Sequence, residues 1–131
     1  MDGGFLYFAN KLNDKTMKRG TVNVFKALGD PNRIRVLKML EKGGLHVAQV
    51  REVLDLAYST VSKHLSILRD SDLIVDSKTG KWVTYSLNDR SDKKLIRSLL
   101  ADVRDAFEDD PDVVADRKSV LRVTRKQGDK G

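Results

Sequence analysis

The chain has 131 residues, 34% of them charged and 40% hydrophobic, with a formal net charge of +6. That length suits one domain with a single core, and the basic balance favours a polyanionic partner, nucleic acid or an acidic membrane face. The absence of cysteine excludes disulfides, thiolate metal sites and thiol-based redox sensing, and no stretch approaches the ~20 apolar residues of a membrane span.

Asp2 precedes only a short apolar patch, Phe5 to Phe8, with no basic start, unlike a secretory leader. The expected location is the cytoplasm. Phe5, Phe8, Ala9 and Leu12 repeat at helical spacing, and Met17 offers a second start, so residues 1–20 are expected to form an accessory segment. Thr21 is placed as the cap of a helix that Gly29 ends. Asp30-Pro31 then restarts the chain, an acidic cap followed by proline at the first helical position. Ile34, Leu37, Met39 and Leu40 give that helix an apolar face to about Lys42, where Gly43-Gly44 stop it.

Leu45 to Val47 look extended or turn-like. A short helix covers Ala48 to Leu54, a turn follows, and Ser59 caps the next helix, from Thr60 to about Ser71. The period then changes: Leu73 to Lys78 and Lys81 to Leu87 read as strands separated by Thr79-Gly80, a β-hairpin. Ser91 is placed as the cap of a long helix to about Asp109. Asp110-Pro111 repeats the restart signal, opening a last short helix to about Val123 before a disordered end. Two helices joined by a tight turn and followed by a hairpin make a mainly α fold with a small β wing, a winged helix-turn-helix. Residues 21–110 carry it, and residues 111–131 read as an extension.

Charge is unevenly distributed. Residues 21–90 carry eleven basic against eight acidic side chains, residues 91–112 four against seven, and residues 113–131 six against two. The acidic stretch is a poor surface for DNA, and the middle and the tail are better ones. At about 100° per residue, Val61, Leu65 and Leu68 form one stripe of the helix after the turn, with Ser59, Lys63 and Ser66 opposite. Small hydroxyl side chains let a helix sink into the major groove, and Ser, Thr and Lys meet phosphates or base edges. A solvated amphipathic helix would show the same pattern, so the hairpin and the short helix before it carry the distinction. Lys78 and Lys81 flank the hairpin tip, where a wing touches DNA or is merely solvated. His64 falls between the core stripe and the outer face, suited to a phosphate or to a neighbouring helix.

These residues resemble a known family. Phe25-Lys26-Ala27-Leu28-Gly29-Asp30-Pro31-Asn32-Arg33-Ile34-Arg35-Val36-Leu37, Ser59-Thr60-Val61-Ser62-Lys63-His64-Leu65-Ser66-Ile67-Leu68-Arg69-Asp70 and Gly80-Lys81-Trp82-Val83-Thr84-Tyr85-Ser86-Leu87 are similar to the opening signature, recognition helix and wing of the ArsR/SmtB bacterial repressors. The resemblance spans about Val24 to Asn88. It implies a homodimeric, sequence-specific repressor on a palindromic operator, with Ser59, Thr60, Ser62, Lys63 and His64 lining the DNA-facing helix. Tyr58 stands where the family commonly has Gln. The family's metal sites are missing: His46 and Ala48 occupy thiol positions, and the long helix offers Asp102 and Asp105 but no histidine. A non-metal-sensing member without cofactor is expected, its effector, small molecule or protein, left open.

The long helix repeats Leu95, Ile96, Leu99, Leu100, Val103, Ala106 and Phe107 as a broad apolar stripe. Part must cover the chain's own core, and the remainder is expected to pair with a second copy, giving a dimer through terminal helices. The interface is placed at Leu95, Ile96, Leu99, Leu100, Val103 and Phe107. A winged domain used only for protein contact is the rival reading. An enzyme is disfavoured, with two histidines, no cysteine and no Gly-rich phosphate loop.

Overall fold

The structure, a computed structural model, describes residues 18–130, with side chains through residue 126. The apolar segment around Phe5 to Leu12 and the alternative start at Met17 lie outside the described residues. Helices α1 (Arg19–Leu28) and α2 (Pro31–Met39) come first, α2 tightening into a 3-10 turn at Leu40–Lys42. Strand β1 (Leu45–His46), α3 (Val47–Leu54) and α4 (Tyr58–Asp70) follow. The hairpin β2 (Ile74–Thr79) and β3 (Trp82–Leu87) precedes α5 (Lys94–Asp105) and α6 (Pro111–Lys130).

The two Asp-Pro restarts act as helix starts for the expected reason. The Asp30 carboxylate accepts from the Asn32 and Arg33 amides at 2.8 and 3.1 Å, and Asp110 accepts from Asp112 and Val113 at 2.9 and 3.2 Å. Each satisfies amides that no helical carbonyl can reach. Other boundaries differ. Lys18, not Thr21, holds the cap position of α1. Helix α4 begins one residue before Ser59, with Ala57 in the cap position and no side chain closing it. The hairpin turn is Gly80-Lys81, one residue beyond the expected Thr79-Gly80, because Thr79 pairs with Trp82 across the strands. Gly80 has φ +61, suiting the first central position of a two-residue type II′ turn.

The sheet has three strands in the order β1-β3-β2, all antiparallel. Leu45 lies opposite Tyr85 and His46 opposite Thr84, so the segment before α3 is stitched to the wing. Gly44 makes this possible: a Cβ there would run into Thr84 Cγ2 and lie 2.7 Å from Ser86 Oγ.

The core joins Val24 and Ala27 of α1, Val36 and Leu37 of α2, Val50 and Leu54 of α3, and Val61, Leu65 and Leu68 of α4. Fully burying the valine and leucine side chains contributes about 1.5–3 kcal/mol each. Two C-terminal expectations are corrected. Helix α5 stops at Asp105, four residues before the expected Asp109, and Phe107 turns through φ +63 outside it. Lys38 of α2, whose side chain is 1% exposed, donates to the Val103 and Arg104 carbonyls at 3.0 and 2.9 Å. This cation satisfies carbonyls that a further turn would have used. Helix α6, expected to be short with a disordered end from Gln127, is helical from Pro111 to Lys130. It is no appendage: Val113, Val120 and Val123 are buried, and Asp116 receives Arg35 of α2 in a two-pronged pair at 2.8 and 2.9 Å.

Candidate nucleic-acid interface

Helix α3, the turn at Asp55 to Ala57 and α4 form the two-helix unit, and β2–β3 follows as the wing. Asp55 ends α3 in the left-handed conformation, φ 55 and ψ 46, where its amide donates to Arg51 O at 2.8 Å. Aspartate tolerates that conformation better than a branched side chain. Val61, Leu65 and Leu68 lock α4 to the core with almost no exposure. That fixes which side chains face out.

Ser59, Thr60 and Lys63 are exposed on α4, and Ser62 and Ser66 are half-buried. The first turn of α4 carries no acid. With no side chain closing the helix, its leading amides and the positive end of its dipole face outward. Tyr58, 57% exposed, stands at the same edge. Lys78 and Lys81 are exposed on the wing, the Lys81 ammonium 5.8 Å from the centre of the Trp82 ring. Acidic charge nearby is paired: Arg69 lies 3.4 Å from Asp70 at the end of α4 and 3.5 Å from Asp76 of β2.

His64 does not share that face. It is buried, and Arg33 Nη1 lies 3.3 Å from its Nδ1. A guanidinium can only donate, so Nδ1 accepts and the ring proton sits on Nε2. Burial pushes the His64 pKa below its ordinary value. The Asp30 carboxylate opposes that shift, and the charges of Arg33 and Lys63 add to it. Arg33 also donates to Ala27 O at 2.8 Å and Lys26 O at 3.2 Å, so one side chain closes the end of α1 and reaches the flank of α4.

His46 is likewise committed. Its Nδ1 donates to Val83 O at 3.2 Å, and its ring stacks on Trp82 with centroids 4.9 Å apart. Its amide donates to Gln49 Oε1 at 2.8 Å and closes the start of α3, which the Val83 and Trp82 contacts tie to the wing. Among the described residues no three His, Cys, Asp or Glu side chains gather as a metal site would require.

The expected dimer residues divide. Ile96 and Leu100 are 1% and 3% exposed within the chain's own core, so they leave no free surface. Leu95, Leu99 and Val103 are half-buried on α5. Phe107 is exposed beyond the helix, and Phe25 of α1 is exposed as well. Sequence reasoning missed Arg33, Lys38 and the Arg35–Asp116 pair. Each is a charged residue whose partner lies far along the chain, and only the Asp30-Pro31-Asn32-Arg33 motif hinted at one of them.

Comparison with known proteins agrees with this geometry. Residues 30–75 match the family model described as bacterial regulatory protein, arsR family. The transcriptional repressor SdpR of Bacillus subtilis is 36% identical over 66 residues, 50% of this chain and 73% of that protein. The HTH-type transcriptional regulator CmtR of Mycobacterium tuberculosis is 39% identical over 94 residues, 70% of this chain and 77% of that one. A homodimeric winged helix-turn-helix DNA-binding domain, Mb0332 of Mycobacterium bovis, superposes with a TM-score of 0.60 at 19% identity. It covers 75% of this chain and 87% of its own, and shares the fold. Among the described residues no helix is long and apolar enough to cross a membrane.

Proposed function

The chain belongs to the ArsR family of bacterial regulatory proteins and is a DNA-binding transcriptional regulator of the winged helix-turn-helix type, and we propose that it is a cytoplasmic homodimeric repressor that reads a palindromic operator with α4. The observation that carries this reading is the exposed, acid-free opening of α4 beside a wing bearing Lys78 and Lys81. In it, Ser59, Thr60, Ser62, Lys63 and Ser66 enter the major groove. Tyr58 meets its edge, and Lys78 and Lys81 hold phosphate outside it. His64 serves the interface indirectly, through Arg33.

Pairing of two copies rests on α1 and α5. Phe25, Leu95, Leu99 and Val103 keep apolar surface available there, and a two-fold axis would set two reading helices about one DNA turn apart. The solution domain of Mb0332, which is homodimeric, supports the pairing of two copies. The role is binding rather than catalysis. The signal that releases the operator is not a thiolate-held metal, because the chain has no cysteine.

The test replaces Ser62 and Lys63 together by alanine and measures binding to genomic DNA fragments recovered with the full chain. Operator binding is expected to be lost while sedimentation and thermal unfolding of the dimer stay unchanged. Normal binding by the double variant would refute the site assignment. Failure of the full chain to select any fragment would favour a winged domain used for protein contact.

A further inference from the structure

Helix α6 carries the most basic stretch of the chain. From Arg117 to Gly128 there is no acidic residue, and Arg117, Lys118, Arg122, Arg125 and Lys126 fall within it. Its buried side is set by Val113, Asp116, Val120 and Val123. Lys118, Arg122 and Arg125 are exposed, and at helical spacing they stand on the side opposite Val120. Solvation accounts for such a stripe on most helices, so its placement in the fold has to decide.

That placement is defined by contacts along the helix. The Asp116–Arg35 pair and the buried Val113 tie its first half to α2. Its later turns pass onto α3 and the wing. Lys126 Nζ lies 3.4 Å from Glu52 Oε1 of α3, and Val123 and Lys126 share a cleft of about 240 Å³ with His46 and Trp82. Trp82 is the first residue of β3 after the wing turn, and Lys81 lies against it. The basic end of α6 is thus continuous with the charged tip of the wing. The Lys126–Glu52 pair is between side chains 62% and 43% exposed, a surface bridge that holds little.

We propose that Arg122, Arg125 and Lys126 hold backbone phosphates of the duplex flanking the wing, so that α6 lengthens the DNA footprint beyond the helix-turn-helix. This rests on α4 and the wing facing DNA, as proposed above. The charge favours DNA over a second copy of the same helix, since two such stripes repel. Phosphate contacts of this kind carry affinity and its salt dependence without sequence discrimination.

The test uses the full chain and the triple variant Arg122→Gln, Arg125→Gln, Lys126→Gln on a mixed-sequence duplex of about 40 base pairs, titrated between about 50 and 200 mM salt. Each phosphate contact removed flattens the plot of log K against log salt by about 0.9. The triple variant is therefore expected to lose roughly 2–3 from the slope per protomer, and about tenfold or more in affinity at the lowest salt. Discrimination between the operator and a mismatched operator should stay the same. The pair Arg122→Lys, Arg125→Lys should keep the wild-type slope, separating charge from any change in the helix. A wild-type slope in the triple variant, beside a flattened slope in the pair Lys78→Gln, Lys81→Gln, overturns the role of α6 alone. An unchanged slope in both overturns the DNA surface proposed above and α6 with it.

Discussion

Replacing Lys38 by methionine should destabilise the protein by about 3–5 kcal/mol, the range for breaking a buried ion pair from one side. The Lys38 side chain is 1% exposed. Its ammonium lies 2.6 Å from Glu41 Oε1, an ion pair outside hydrogen-bonding geometry, and donates to the carbonyls of Val103 and Arg104. Methionine keeps an unbranched stem of similar reach, so cavity formation contributes little. What remains is a carboxylate 10% exposed and the Arg104 carbonyl without its donor, each orphaned group costing about 1–3 kcal/mol, whereas Val103 O keeps the Ala106 amide at 3.1 Å. Glu41 keeps a weaker neighbour in Arg117 at 3.7 Å, which places the expected loss at the lower end. Urea unfolding followed by circular dichroism measures it, with the midpoint falling and the slope unchanged. Roughly 10–15 °C should be lost in thermal unfolding. Adding Glu41→Gln should recover part of the loss, with a coupling of about 1–3 kcal/mol. A single-variant loss below about 1 kcal/mol would refute the reasoning, because the ammonium would then be solvated or replaceable.

Gly44→Ala should cost about 1–3 kcal/mol, as expected when a side chain is forced into filled space, since its Cβ meets Thr84 Cγ2 and Ser86 Oγ. Chemical denaturation would show it, and a neutral effect would mean that β1 moves freely off β3. The lowered His64 pKa carries a sign. The unfolded chain takes up a proton at the ordinary imidazole value of about 6.5, whereas the folded chain does so only at lower pH. Between those values the unfolded state holds more protons, so stability falls as pH drops below about 6.5. His64→Gln should flatten that dependence in denaturation curves taken across the window, and an unaltered dependence would place the titration elsewhere.

The parts of the fold legible in the sequence are those held by neighbours in the chain. Asp30-Pro31 and Asp110-Pro111 act on amides two and three residues away, and the stripe of Val61, Leu65 and Leu68 needs only the helical period. The exposed and polar faces of α4 coincide at Ser59, Thr60 and Lys63 for the same reason. What was not legible depends on distant partners. Helix α5 ends where Lys38 reaches it from 65 residues away. Helix α6 hides its buried stripe behind Asp116, which reads as a solvent residue until Arg35, 81 residues distant, pairs with it. Strand β1 has two residues, too few for alternation to show, and its pairing depends on what Gly44 lacks. His64 stood at the margin of two faces, and Arg33 decided between them.

Arg33 joins the last carbonyls of α1, the Asp30 carboxylate and the ring of His64. In mechanical terms, α4, the proposed reading helix, and α1 are braced by one strut. In the proposed dimer, the distance between the two reading helices would then be set at the joint between protomers, with little bending inside either one. An effector that altered the angle of that joint by a few degrees would carry both reading helices out of register with successive grooves, without touching the residues that meet the bases.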